Sequence, residues 1–190
     1  SSDGTTVAIG APGNDGNGSN AGQVRVYEYS SGNWSQLGAD IDGEAVNIYS
    51  GSSISLSSDG TRVAIGATQS SGAGPSFAGH VGIYEYSAGS WSQLGADIDG
   101  EAASDNSGYS VSLSSGGDTV AIGAYQNDDN GAESGHVRIY EYSTGSWTQL
   151  GADIDGEAAY DYSGHSVSLS SDGTRVAIGA YDNDDNGTQS

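Results

Sequence analysis

The side chains of this sequence best suited to chemistry are carboxylates in two recurring settings. The loop Asp182-Asn183-Asp184-Asp185-Asn186-Gly187 reads D-x-D-x-N-G, with oxygen ligands at alternate positions before a glycine that permits a sharp turn. Calcium loops begin this way. Earlier stretches keep part of it, as Asp15 and Asn17 before Gly18 and as Asp128 and Asn130 before Gly131, whereas Ser70, Ser71 and Gly72 have lost the acids. In the two earlier stretches the twelfth position holds Val24 and Val137 and not glutamate, so the pattern is not read as an EF-hand. The competing reading is a solvated turn, since Asn, Asp and Gly all tolerate positive φ.

The second setting is Asp40/Asp42/Glu44, which returns as Asp97/Asp99/Glu101 and Asp153/Asp155/Glu157, followed in the later two cases by Asp105 and Asp161. Alternate residues of an extended segment point the same way, so each trio could converge on a cation. Otherwise it is a solvated link anchored by Ile41, Ile98 and Ile154.

Catalysis finds little support, and the expectation is that the protein is not an enzyme. His80 and His136 occupy one repeated place, taken by Gln23 in the first copy, and His165 aligns with Tyr109 and Ser52. A catalytic histidine needs one particular partner arrangement, so a position that repeats or drifts reads as scaffold. There is no Cys and no Lys. Paired carboxylates for glycoside hydrolysis remain open, because their separation belongs to the fold. Tyr27/Tyr29, Tyr84/Tyr86 and Tyr140/Tyr142, with one Trp per copy, could stack on sugars, but their strict repetition favours packing. Asn17, Asn33 and Asn186 head N-x-[ST] sequons that could carry glycans in a secreted protein.

A net charge of -21, with 4 basic residues against 25 acidic, repels phosphate backbones and excludes nucleic acid as a partner. No run of 18 apolar residues exists, so membrane insertion is not expected. The chain shows no signal-peptide pattern, and its start at Ser1 without Met suggests a mature or excised segment.

The elements that must position these residues recur. Trp34, Trp91 and Trp147 are separated by 57 and 56 residues, and Ala8-Ile9-Gly10 returns at Ala64, Ala121 and Ala177. Within one copy, GYSVSLSS (108 to 115) alternates Val and Leu with Ser, as a strand with one buried face does. TVAIGA is apolar on both faces, as if covered on both sides. HVRIYEYS and SWTQLGAD follow, so each copy is a four-stranded antiparallel meander with Gly-rich turns. A sheet of about 56 residues has the size of a propeller blade and needs neighbours to bury its faces; a β-solenoid or a row of sandwiches is the alternative.

SGYSVSLSSGGDTVAIGA, with AIGAP at residues 8 to 12 and W-x-Q-L-G at Trp91 to Gly95, resembles the FG-GAP repeat of integrin-like propellers, once per copy along the chain. The resemblance implies a β-propeller fold and an extracellular or cell-surface binding or structural role. Integrin-type blades often hold calcium between the first two strands, but that turn is only SSDG or SGGD here, so no metal role passes to Asp59, Asp118 or Asp172. The expected division is 1–51 (lacking a first strand), 52–107, 108–163 and a partial 164–190, all-β and propeller-like, an incomplete ring or an excerpt of a longer array. The leading expectation is a structural, adhesive or filament-forming module that associates with itself or with neighbouring repeats. A calcium-dependent propeller binding glycans or extracellular proteins is the second, and an acidic-site hydrolase the third.

Overall fold

The computed structural model describes residues 1–70 and 76–184, and every regular element among them is a β-strand. Strands β1 (Thr6–Ala11), β2 (Gln23–Ser30) and β3 (Asn33–Gln36) form the first sheet, with β4 (Ile41–Asp42) also on β2. The second runs β5 (Ser50–Leu56), β6 (Arg62–Ala67), β7 (His80–Ser87) and β8 (Ser90–Gln93), with β9 (Ile98–Asp99) also on β7. The third repeats this as β10 (Ser110–Leu113), β11 (Thr119–Ala124), β12 (His136–Ser143), β13 (Ser146–Gln149) and β14 (Ile154–Asp155). The fourth pairs β15 (Ser163–Leu169) with β16 (Val176–Ala180). All pairings within the sheets are antiparallel and, apart from the short β4, β9 and β14, join consecutive strands, so these are propeller-like blades.

The core lies between sheets. Val24, Val26 and Ile41 of the first blade meet Val63 and Ile65 of the second, and Val81, Ile83 and Ile98 meet Val120 and Ile122 in the same way. This is why TVAIGA is apolar on both faces in β11, which is buried throughout. The same sequence in β1 leaves Val7 and Ile9 exposed, because no blade covers that side among the described residues.

The serines of the first strand of each blade have a use that alternation alone does not reveal. Ser53 Oγ donates to the Gly108 carbonyl and Ser110 Oγ to that of Gly164, while Ser55 and Ser112 accept from the amides of Leu113 and Leu169. The face read as polar is thus a hydrogen-bonded contact with the next blade. Hairpin tips join in series too: Ser2, Ser58 and Ser115 amides donate to the carbonyls of Ser58, Ser115 and Ser171 at 2.9–3.0 Å. Asp172 serves its own hairpin, where bonds from the Ser170 hydroxyl and from the amide and hydroxyl of Thr174 push its pKa down to about 2.

One expected element is corrected. SWTQLGAD is not a continuous strand: β13 ends at Gln149, and pairing with β12 resumes only at Ile154. The motif glycine is the cause. Gly95 has φ +80°, which breaks the strand, and a Cβ there would lie 2.9 Å from the Trp147 ring of the next blade. That tryptophan donates from Nε1 to the Leu94 carbonyl at 2.7 Å, as Trp91 does to Leu37. W-x-Q-L-G is therefore an inter-blade latch, with its Trp reaching back to the Leu-Gly of the preceding copy. Trp147→Phe should cost about 1–2 kcal/mol by leaving the Leu94 carbonyl unpaired. Trp34→Phe, at a half-exposed ring that no other blade covers among the described residues, should cost under about 0.5 kcal/mol in urea melts at low concentration.

Candidate metal centre between neighbouring blades

Strand β12 begins with His136, paired opposite Asp155 of β14 and opposite Ala124 of β11. The imidazole is 1% exposed, and its Nδ1 has no hydrogen-bond partner. Two carboxylates flank it, Asp153 Oδ2 at 3.9 Å and Asp129 Oδ2 at 4.0 Å, both beyond hydrogen-bonding distance. Glu101 arrives from the link that follows β9 in the preceding blade. One donor atom from each of Glu101, Asp129, His136 and Asp153 lies within 4.8 Å of the others, so the four could hold a metal ion.

The surroundings fix this arrangement. Gln149 Nε2 donates to Asp153 Oδ1 at 2.5 Å, leaving Oδ2 facing the histidine. Arg138, next on that face of β12, is buried, pairs with Glu101 at 3.1 Å and donates to the Asp99 carbonyl at 2.8 Å. Burial, reinforced by the Arg138 guanidinium, pushes the His136 pKa down and favours the neutral imidazole.

The preceding interface carries a related set. His80 begins β7 with its Nδ1 also unpartnered, and burial raises the pKa of neighbouring Asp97. Burial, with Glu44 and Asp97, pushes the Tyr84 hydroxyl up to about 12. Glu44, His80 and Asp97 line a groove of about 670 Å³ together with Val46 and Phe77. In the first blade Gln23 takes the histidine's place, and its amide donates to Asp40 at 2.9 Å and to Asp42 at 2.8 Å.

The expected trios do not converge on one cation. The only group of three or more potential ligand residues among the described residues draws Glu101 from one trio and Asp153 from another. The alternation ends because β9 stops at Asp99 and the Gly100 amide turns onto the Gly79 carbonyl. Glu101 is carried to the next blade, while Asp97 stays by its own histidine. Asp155 lies in β14, and Glu157 follows Gly156, whose amide bonds the Gly135 carbonyl. Asp105 and Asp161 are buried and accept from the amides of Ala102 and Ala158.

In the D-x-D-x-N-G loops, Asp15 and Asp128 accept from the amides of Asn20 and Glu133, while Asn17 and Asn130 donate to the carbonyls of Gly43 and Gly156. These bonds close each loop and tie it to the link. Asp182 is half-buried and Asp184 exposed, while Asn186, as ligand and as sequon, lies outside the described residues. The Asn17 amide nitrogen that a glycan would occupy is the one bonded to Gly43; Asn33 stands exposed at the start of β3.

The Tyr–Trp pairs pack within blades, each with ring centroids 5.2 Å apart. Two features escaped the sequence reading. The loop pattern singles out Asp128 and not Asp129, although Asp129 is the one that faces the histidine. The other is an aromatic cluster across the third and fourth blades, in which Tyr109, Tyr125, Tyr162, His165 and Tyr181 have neighbouring centroids 4.3–6.0 Å apart. Its signal was the replacement of Ser52 and Thr68 by aromatics in later copies.

Blades latched in series around buried inter-sheet cores define a β-propeller-type repeat protein. Residues 96–140 and 152–190 match the FG-GAP repeat family. No curated protein sequence matches it significantly. Among solved structures, a putative 6-phosphogluconolactonase from Bacteroides uniformis aligns with 84% of this chain and 41% of its own, at TM-score 0.57 and 12% identity. The periplasmic gluconolactonase PpgL of Pseudomonas aeruginosa aligns over 66% and 32%, at TM-score 0.42 and 16% identity. The chain thus spans less than half the length of either structure, and the likeness to the first, at such identity, concerns the fold alone.

Proposed function

We propose that this chain is a structural or adhesive repeat module, extracellular or on a cell surface, which works by joining its blades to further blades of the same kind and not by catalysis. One observation carries the reading: the inter-blade contact is directional, and both of its halves stand partly exposed, one on the first blade and the other on the third beside the two-stranded fourth. Val7, Ile9 and Trp34 are 38%, 52% and 50% exposed on one side, and Leu150 and Ile154 are 44% and 40% exposed on the other. Their equivalents Val63, Ile65 and Ile98 are buried within the array. A Trp-bearing face fits a Leu-bearing face and not itself, so association runs head to tail. The proposed location draws on the FG-GAP match at residues 96–140 and 152–190. Among the described residues no helix is long and apolar enough to cross a membrane.

Sedimentation velocity across a concentration series tests the proposal. Species heavier than 19.0 kDa should grow with concentration, and Leu150→Asp should suppress them. Salt should promote them, because a net charge of -21 sets copies repelling one another. A single 19.0 kDa species at every concentration and salt would count against it.

Binding of glycans or extracellular proteins, with calcium as a partner ion, is a second reading. The aromatic cluster favours it, since Tyr181 is 62% exposed beside Tyr162 and His165 and offers a stacking surface. Likeness to lactonases at 12% identity brings no activity to this chain.

A further inference from the structure

We infer that Glu101, Asp129, His136 and Asp153 form a site for a borderline divalent transition metal, of which zinc is the probe, and that the ion clamps the second blade to the third. This goes beyond the assembly reading, since the clamp acts between blades of one chain.

The argument begins with what each repeat does at the same place. Where the first copy has Gln23, the amide nitrogen lies within 2.9 Å of two carboxylates and satisfies both. Where the third has His136, the ring nitrogen is buried and bonded to nothing, with carboxylate oxygens 3.9 and 4.0 Å away. An unpaired buried polar atom is costly, and carboxylates gathered around it repel one another. A cation placed between them answers both problems. Donors held at about 2.1 Å on a tetrahedron lie roughly 3.4 Å apart, so inward shifts of at most about 0.8 Å per donor complete the site. Asp129 and Glu101, 58% and 45% exposed, have the freedom to make them.

Charge and ligand type narrow the ion. Three carboxylates against the Arg138 guanidinium leave two negative charges, which one divalent ion neutralises. Calcium and magnesium take oxygen ligands, whereas imidazole suits zinc and its neighbours. The related set at Glu44, His80 and Asp97 has no acid in the loop matching Asp129, where the sequence runs Ser70 to Phe77, and Gly82 stands in place of Arg138.

The test is titration of the untagged, metal-stripped 190-residue chain with zinc in a calorimeter, alongside thermal melts. One equivalent should bind, with a rise in melting temperature. His136→Gln copies the residue the first blade already uses, so it should fold, and it should weaken binding at least tenfold; Asp129→Asn, at an exposed residue, should weaken it several-fold. His80→Gln should leave it unchanged. Retained affinity in a His136→Gln chain whose metal-free melt matches the parent would overturn the assignment, as would loss of zinc on His80→Gln alone. Calcium bound in preference to zinc at the same residues would overturn the metal class.

Discussion

Gly123→Ala is expected to lower stability by about 3 kcal/mol, at the upper end of what overpacking costs. The residue is the glycine of TVAIGA in β11, in a strand conformation that alanine adopts readily, so the penalty is steric. A Cβ there would sit far inside van der Waals contact of the Gly164 carbonyl oxygen, on the first strand of the next blade, and of Ser110 Oγ in its own. The backbone cannot yield without parting the blades. Gly179 provides the control, since it occupies the same place in β16 and meets only Ser166 of its own blade. Gly179→Ala should therefore lose much less. For a chain of this size about 3 kcal/mol corresponds to roughly 6–12 °C in melting temperature. Equal losses in the two variants would show that the glycine serves the hairpin and not the interface.

Asp105→Ala should cost about 3 kcal/mol, because it strands buried donors. Asp105 is 2% exposed and accepts from the Ala102 amide at 3.0 Å and from Asn127 Nδ2 at 3.1 Å, and Asn127 is itself 1% exposed. The pair joins the link of the second blade to the loop of the third, and Asp161 with Asn183 repeats it at the next interface. The first interface solves the problem differently, with Ile48 and Ser70 in the two positions, both buried. Asp105→Ile combined with Asn127→Ser should accordingly recover a large part of the loss, since the Asn127 donor goes with its acceptor and only the Ala102 amide is left without the carboxylate. Urea denaturation of the two single variants and the double variant closes the cycle. A double variant no better than Asp105→Ala would refute the exchange, and a single loss below about 1 kcal/mol would mean that water replaces the carboxylate.

The strands, their antiparallel order and the blade unit were legible in the sequence because each rests on local pattern. Alternation in SVSL, continuous apolar character in TVAIGA and glycine turns between them are set by neighbours in the chain, and a spacing of 56 or 57 residues multiplies the signal. The FG-GAP resemblance follows from the same repetition. What repetition could not show is which residues of different copies meet. Glu101 and Asp153 belong to separate trios 52 positions apart and come together only because Gly100 turns the chain toward the next blade. Likewise, His136 reads as scaffold by its recurrence, yet burial strips its nitrogen of water and places it among carboxylates that the following turn and the preceding blade supply. The sequence by itself determined the blade, through hydrogen bonding and side-chain alternation over a few residues. Only the tertiary structure decided the latch and the acidic centre, since both arise where one blade packs on another.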